Sequence, residues 1–469
     1  MWKYGNVKMR YTIFIFLYFH ISHIFVSQIQ IMSTSVIAIF DVGKTNKKII
    51  LFDEQYRLVY EKNMQLPETV DEDGFPCEDI SALTKWVQQS VENICSNPAY
   101  TVLAINFSAY GASFVHLDKN LRPVTPLYNY LKPYPAELQQ QFYDMYGGMT
   151  AFAMRTSSPV LGNLNSGMQL YWMKYERPEL FKKIKYSLHL PQYLSFLISG
   201  KMATDITSIG CHTNLWDFKK NDYHEWVYKE GIQTLFSDIH PSDEPVGKYE
   251  IPGGTVPVGI GLHDSSAALI PYLAGFHEPF VLLSTGTWCI SLNPFNDLPL
   301  TKQELEHDCL CYLTYQGKPV KASRLFAGYT HEQQIKRIAA HFKTPVDYYT
   351  TIRCDIEMLK TLKSVVTQDV LFEQRDLSSF QNYETAYHQL IIDLVAQQVK
   401  STRLVLKGPV IRRIFVDGGF SKNPIYMHLL PAAFPEMEVF AASLPQATAL
   451  GAALSIHKYW NKELLIRMI

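Results

Sequence analysis

The sequence predicts an α/β protein built from two related halves, and three separated stretches predict it. The first is Ile39-Phe40-Asp41-Val42-Gly43-Lys44-Thr45-Asn46-Lys47-Lys48. The second is Leu283-Ser284-Thr285-Gly286-Thr287-Trp288, and the third is Phe415-Val416-Asp417-Gly418-Gly419-Phe420-Ser421-Lys422-Asn423. Each is an apolar run that enters a glycine turn carrying hydroxyl or amide side chains. Glycine there lets backbone N–H groups approach a phosphate with no Cβ in the way. One such turn is common and means little. Three in this order, with Gly261-Leu262-His263-Asp264 between the first two, imply a nucleotide-phosphate site and phosphoryl-transfer chemistry.

The elements follow in order. Residues 36–40 form a short apolar strand and 49–52 a second, so the first turn is the tip of a hairpin. A third strand is predicted over 59–64. Leu83, Val87, Val91 and Ile94 recur at helical spacing, which predicts a helix over 80–94. Residues 101–107 form the next strand. It ends in Ser108-Ala109-Tyr110-Gly111-Ala112-Ser113, a small-residue loop at a strand's carboxyl end, where α/β sheets hold ligands. Residues 114–117 are expected to resume that sheet before a turn at 118–120. Residues 168–196 read as helices, with Pro178 and Pro191 near their starts. Gly253-Gly254-Thr255 and Pro257 mark a break, after which a strand over 258–262 opens a second half. The domain boundary is therefore expected between 254 and 255. Leu390, Ile391, Leu394, Val395 and Val399 predict a helix over 383–406. Residues 411–416 feed the Gly418-Gly419 turn, and the small residues of 448–454 suit a closely packed helix. The halves resemble each other in layout, without a visible sequence repeat.

The chain has 469 residues, 47% of them apolar and 19% charged, with a formal net charge of −1. That length accommodates two large α/β lobes, and the apolar fraction fills their cores. A near-zero net charge gives no electrostatic ground for expecting a nucleic acid or a membrane as partner. Of the seven cysteines, only Cys309 and Cys311 are close in sequence. They read as reduced thiols of a cytoplasmic enzyme rather than a disulfide framework or a metal site. Residues 1–31 stand apart. Lys3, Lys8 and Arg10 precede an apolar run over 11–19 that continues, interrupted, to Val26. The pattern is leader-like but too short and broken for a membrane span, and no small-residue cleavage site follows. A leader or a mis-assigned start is expected, with Met32 preferred as the start because it leads straight into the first strand.

Further stretches follow in order: Pro178-Glu179-Leu180-Phe181, Leu190-Pro191-Gln192-Tyr193-Leu194, Ile198-Ser199-Gly200, Ala203-Thr204-Asp205 and Trp216-Asp217. With the glycine turns, they make residues 36–457 resemble the FGGY family of carbohydrate kinases, a branch of the actin and sugar-kinase superfamily. Gly261-Leu262-His263-Asp264-Ser265-Ser266-Ala267-Ala268 and Ser284-Thr285-Gly286-Thr287-Trp288 are most similar to deoxyketose kinases such as rhamnulokinase. The resemblance implies two actin-like, ribonuclease H-like lobes with an ATP cleft between them. Residues 32–254 would hold the acceptor sugar and the first phosphate loop. Residues 255–460 would hold the catalytic aspartate, the second phosphate loop and the adenosine site. It implies ATP and Mg²⁺, a small sugar acceptor such as rhamnulose, xylulose or fuculose, and ADP and a sugar phosphate as products. It also admits a homodimer.

On that resemblance Asp264 is the expected catalytic base. A kinase acting on a sugar hydroxyl needs a carboxylate to accept its proton as the oxygen attacks the γ-phosphate. Asp264 before Ser265-Ser266-Ala267-Ala268 also suits a helix N-cap. The two roles are compatible, because a helix N-terminus favours an ionised carboxylate. His263 is expected to hold the sugar, orient Asp264 or simply pack. Asp41 is expected to approach Mg²⁺ through water, since Mg²⁺ beside ATP keeps several waters. Gly43, Thr45 and Asn46 would face phosphate with Lys48 as a further contact. One or two of Lys44, Lys47 and Lys48 are expected to be merely solvated. Ser284, Thr285, Gly286 and Thr287 would form the second phosphate loop, and Gly418, Gly419 and Asn423 the adenosine turn. Ser108, Tyr110, Gly111 and Asn129 are the expected acceptor-binding residues beside His263 and Asp264.

Two departures matter. Lys44 stands where relatives commonly carry a small hydroxyl residue. Tyr128-Asn129-Tyr130-Leu131-Lys132 stands where many carry a tryptophan, an aspartate and an arginine, which argues against the common pentulose and glycerol acceptors. Arg324 is a candidate either for the cleft or for lobe packing. A low-turnover sugar or nucleotide sensor that keeps the fold is the alternative reading, supported by those departures and opposed by the intact Asp41, Asp264 and 284–287. An exported binding protein is a second alternative, resting on residues 11–26 alone.

Overall fold

The structure, a computed structural model, describes residues 33–363, 371–442, 444 and 446–462. The expected leader over 1–31 and the start at Met32 lie outside the described residues. Strands β1 (Thr34–Val42) and β2 (Lys47–Phe52) form the predicted hairpin, with Asp41 opposite Lys48 and Val42 opposite Lys47. Strand β3 (Leu58–Met64) extends it outward. Helix α1 (Ile80–Cys95) starts at Asp79, whose carboxylate accepts the N–H groups of Ser81 and Ala82, and it buries the predicted stripe together with Trp86. Strand β4 (Tyr100–Ala109) runs parallel to β1. Both faces of β1 are covered: Val36, Ala38, Phe40 and Val42 pack under α1, while Ile37 and Ile39 face a second core. That is why β1 reads as one continuous apolar run.

Two expectations in this half change. Residues 114–117 do not resume the main sheet. The strand Phe114–Leu117 pairs antiparallel with Tyr186–His189 in a separate two-stranded sheet. The expected all-helical run over 168–196 is therefore interrupted by a strand before α2 (Leu190–Ser199), because Phe114 and Leu188 need a partner strand to bury against. The second change concerns the boundary. Strands β5 (Pro245–Ile251), β6 (Gly254–Gly259) and β7 (Leu262–His263) all join the first sheet, whose order is β5-β6-β4-β1-β2-β3 with β7 beside β4. Gly253, at φ 91°, and Gly254 make the turn of the β5–β6 hairpin. The glycine pair that read as a domain break is a strand-to-strand turn, and the first sheet continues to His263.

Helix α3 (Asp264–Gly275) leads into the second half. There β8 (Phe280–Thr285), β9 (Cys289–Asn293), β10 (Cys309–Leu313) and β11 (Pro319–Leu325) precede helices α4 (Ala327–Phe342) and α5 (Tyr383–Val405). Strand β12 (Arg413–Gly418), helix α6 (Pro424–Ala433), strand β13 (Glu438–Ala441) and helix α7 (Ala447–Ser455) complete it. The sheet order is β10-β11-β9-β8-β12-β13. The two sheets repeat one layout. In each, a hairpin of antiparallel strands (β1–β2, β8–β9) has a parallel strand (β4, β12) on its other side. Helix α7 returns to the first sheet, where Ala449, Ala452 and Ala453 join Ile37, Ile39, Ala267 and Ile270 in one core. Its small residues permit that approach: a Cβ on Gly451 would lie 1.8 Å from the carbonyl oxygen of Ala267 in α3. Among the described residues no helix is long and apolar enough to cross a membrane.

Candidate active site

The first glycine turn is closed by its own backbone, Gly43 N–H donating to Asn46 O at 2.9 Å. Thr45 and Asn46 are exposed beside it, and Asn46 Oδ1 accepts from Gln65 at 3.0 Å. The three lysines divide sharply. Lys47 is buried and paired with buried Glu78, and its Nζ also donates to the carbonyls of Gly43 and Lys44 at 3.2 and 3.0 Å. It is an internal brace of the turn rather than a solvated side chain. Lys44 pairs with Glu68 at 3.2 Å. Lys48 donates to Gln446 Oε1 at 2.9 Å, tying the hairpin to the start of α7.

Asp41, at the end of β1, feels Asp264. Burial first, and then the charge of Asp264, push the Asp41 carboxyl up to about 7, with Lys48 pulling the other way. Asp264 is the first residue of α3, and the N-cap position belongs to His263. Asp264 Oδ1 accepts the N–H and the hydroxyl of Ser265 at 2.5 and 3.2 Å. His263 is buried, with Nε2 at 3.2 Å from Asp264 Oδ1 and 3.1 Å from Cys211 Sγ. Burial lowers its pKa against the opposing pull of Asp264, so the ring is neutral. Its backbone N–H donates to Thr207 Oγ1 at 2.9 Å. A Cβ on Gly111 would stand 3.0 Å from the His263 ring, so glycine there admits the imidazole. Ser108 Oγ is buried with no partner among the described residues.

Other acceptor candidates are already committed. The Tyr110 hydroxyl donates to Glu78 at 2.7 Å. Asn129 donates to Pro76 O and accepts from Leu131 N–H, both at 3.0 Å. Lys132 pairs with Asp71 and Asp73 at 2.6 and 2.7 Å, and Tyr128 donates to Glu72 at 2.6 Å. The segment 128–132 is thus pinned to the loop 71–76. The polar atoms of Asn129 and Tyr110, both expected at the acceptor, thus brace the protein. Arg324 pairs with Asp308 at 2.6 Å and lies over the Trp288 ring, so it packs in the second half.

The second and third turns lock face to face. Thr285 Oγ1 donates to Asp417 O at 2.5 Å and accepts Phe420 N–H at 3.0 Å. Gly418 sits at φ 90°, and a Cβ there would fall 2.0 Å from Thr285 O. No other residue fits. The two turns open on a cavity of about 550 Å³ lined by Thr285, Gly286, Thr287, Gly419 and Asn423. Ser284 and Gly418 do not line it; they lie in the paired strands β8 and β12 that carry the two turns. The Asn423 amide is spent on the protein, capping α6 and donating to Tyr387 Oη at 2.8 Å.

Sequence reasoning missed the far wall, formed by Gly328, His331, Glu332, Tyr349 and Tyr387. One signal was present. Gly328 follows a strand and opens a helix, and a Cβ on it would meet Gly286 O at 1.8 Å. Among the described residues no group of three or more His, Cys, Asp or Glu is placed to hold a metal ion.

Residues 36–271 match the N-terminal domain of the FGGY family of carbohydrate kinases, and residues 277–463 match the FGGY C-terminal domain. The chain belongs to the FGGY family. The FGGY N-terminal match ends within α3, past the boundary expected at 254/255 and consistent with a first sheet that runs to His263. The chain is similar to a rhamnulokinase of Halalkalibacterium halodurans, 26% identical over 53% of this chain and 52% of that protein. The match thus spans about half the length of that relative. It is also similar to a rhamnulokinase of Oceanobacillus iheyensis, 21% identical over 81% of this chain and 84% of that protein. A solved carbohydrate kinase from Novosphingobium aromaticivorans superposes with a TM-score of 0.74 at 22% identity, over 92% of this chain and 93% of its own. Its fold is the two-lobed, actin-like α/β fold seen here.

Proposed function

We propose that this FGGY protein transfers the γ-phosphoryl group of ATP to a hydroxyl of a small sugar, giving ADP and a sugar phosphate. The observation that carries the reading is the match of both halves to FGGY carbohydrate-kinase domains, and Asp41 and Asp264 are the carboxylates it turns on. Two carboxylates share one electrostatic environment, one on the hairpin of the first glycine turn and the other at a helix N-terminus. Asp264, in the first turn of α3, accepts the proton of the attacking hydroxyl. His263, neutral and 3.2 Å away, orients that carboxylate. Thr285, Gly286 and Thr287 hold phosphate, and the cavity behind them takes the adenosine.

Mg²⁺ fits this donor set. Asp41 is a half-buried carboxyl that feels the charge of Asp264, with Lys48 already engaged by Gln446, and a divalent cation relieves that excess. Asp41 would hold it through water, together with the triphosphate. When bound, the ion neutralises charge on the transferring phosphoryl group.

For the acceptor, Ser108, Gly111 and His263 are the residues assigned to face it, and a deoxyketose of the rhamnulose type is the first candidate. The kinship with two rhamnulokinases and the pinned 128–132 segment support that choice. The setting proposed is the cytoplasm, where ATP is available. The test is coupled ADP release from the Met32-start protein with Mg–ATP against ketoses, deoxyketoses, aldoses and polyols, beside Asp264→Asn. One strong acceptor, lost by about 10²–10⁴-fold in the variant, supports the reading. Sugar-independent ADP release, equal in both proteins, removes it and favours the sensor.

A further inference from the structure

Asn423 fixes more than the helix it caps. Its Oδ1 accepts the N–H groups of Ile425 and Tyr426, both at 3.0 Å. The other arm of the amide is therefore the NH₂ group, and it donates to Tyr387 Oη at 2.8 Å. Tyr387 is buried. Among the described residues its own hydroxyl hydrogen has one acceptor in reach, Nε2 of His331 at 3.2 Å. A ring nitrogen that accepts carries no hydrogen. Burial holds the His331 pKa down at about 4, so the imidazole is neutral at pH 7 and bears one hydrogen. That hydrogen sits on Nδ1. Among the described residues no hydrogen bond engages Nδ1.

The ring is also held in place. Tyr349 and Phe420 meet it edge-on, with centroids at 5.2 and 5.4 Å and interplanar angles of 82° in both cases. His331 lines the same cavity as Thr285, Gly286 and Gly419. A helix cap thus sets, through a tyrosine, the tautomer of a cavity-wall histidine and leaves it with a single unspent donor. His331 is only partly buried on the cavity wall, so this donor is open to the cavity and can be taken up by an acceptor atom of a molecule bound there.

We propose that His331 positions the nucleoside: its Nδ1–H donates to an acceptor atom of the adenosine moiety of ADP and ATP. This rests on the reading of the cavity as the nucleotide site. It adds a residue outside the glycine turns that discriminates the nucleoside from bare phosphate.

The test is calorimetric titration of the full chain with ADP and, separately, with inorganic pyrophosphate, using wild type, His331→Phe and His331→Asn. Asparagine carries its amide nitrogen close to the position of Nδ1 and keeps the donor. Thermal melting of each variant confirms folding. Loss of one neutral hydrogen bond predicts about 3- to 10-fold weaker ADP binding in His331→Phe. Affinity for ADP is restored in His331→Asn, and pyrophosphate binding is the same in all three. The proposal is overturned by unchanged ADP affinity in His331→Phe, by a His331→Asn as weak as the phenylalanine variant, or by a parallel loss of pyrophosphate binding. Wild-type protein that binds no ADP overturns the cavity assignment itself, and the proposal with it. That result is distinct from any difference among the variants.

Discussion

The shared environment of Asp41 and Asp264 makes a quantitative prediction about pH. Without ligand, the Asp41 carboxyl titrates at about 7, so at neutral pH roughly half of the molecules carry a proton there. A metal–nucleotide complex that needs the ionised form must displace that proton. Its apparent affinity is therefore constant above pH 7 and weakens about tenfold for each pH unit below it. Asp264 contributes to the displacement, second to burial and opposed by Lys48. In Asp264→Asn the break must move to lower pH, yet remain above the ordinary 3.8 because burial persists. The assay is titration of Mg–ADP binding between pH 5 and 8.5 in wild type, Asp264→Asn and Asp41→Asn. The last of these subtracts the ionisation of the nucleotide. A wild-type profile indistinguishable from that of Asp41→Asn refutes the assignment of Asp41 to the metal. A break that stays at the same pH in Asp264→Asn refutes the coupling of the two aspartates.

Three further outcomes are expected. Asp41→Asn should melt higher than wild type at pH 8. The raised pKa means that ionised Asp41 costs folding free energy, fully above about 7 and not at all below 3.8. The gain, at most about 4 kcal/mol, should fade as the pH falls through that window, and a pH-independent difference in melting would contradict it. Glu78→Gln strips the buried Lys47 of its charge partner and should cost about 3–5 kcal/mol in urea unfolding; a loss below 1 kcal/mol would show that Lys47 reaches water. Gly418→Ala combines a φ of 90° with a Cβ 2.0 Å from Thr285 O. It should lower stability by about 1–3 kcal/mol and weaken ADP binding, and an unchanged melt with wild-type affinity would mean that the two turns are not locked.

What the sequence made legible was what the backbone itself demands. The β1–β2 hairpin and the three glycine turns could be read because close strand approach and positive φ leave a local mark, as at Gly418. The stripe of α1 could be read because its spacing is its packing. The rest needed contacts that no local pattern encodes. Asn129 read as sugar-facing from its type alone, and the bond it makes to Pro76, distant in the chain, shows only in the fold. His331, Tyr349 and Tyr387 come from separate helical elements and meet only in the folded cavity. Gly253-Gly254 misled because one dipeptide serves equally a linker and a hairpin turn, and only the partner strand decides between them.

The return of α7 to the first sheet has a consequence for biosynthesis. Ile37 and Ile39 emerge from the ribosome early, yet the helix that covers them ends at Ser455. At about 5–20 residues per second, that face of the nascent first lobe waits on the order of half a minute for its cover. Until then α3, through Ala267 and Ile270, gives that face only part of its cover. Truncation anywhere before α7 should leave a sticky apolar sheet for chaperones to shield.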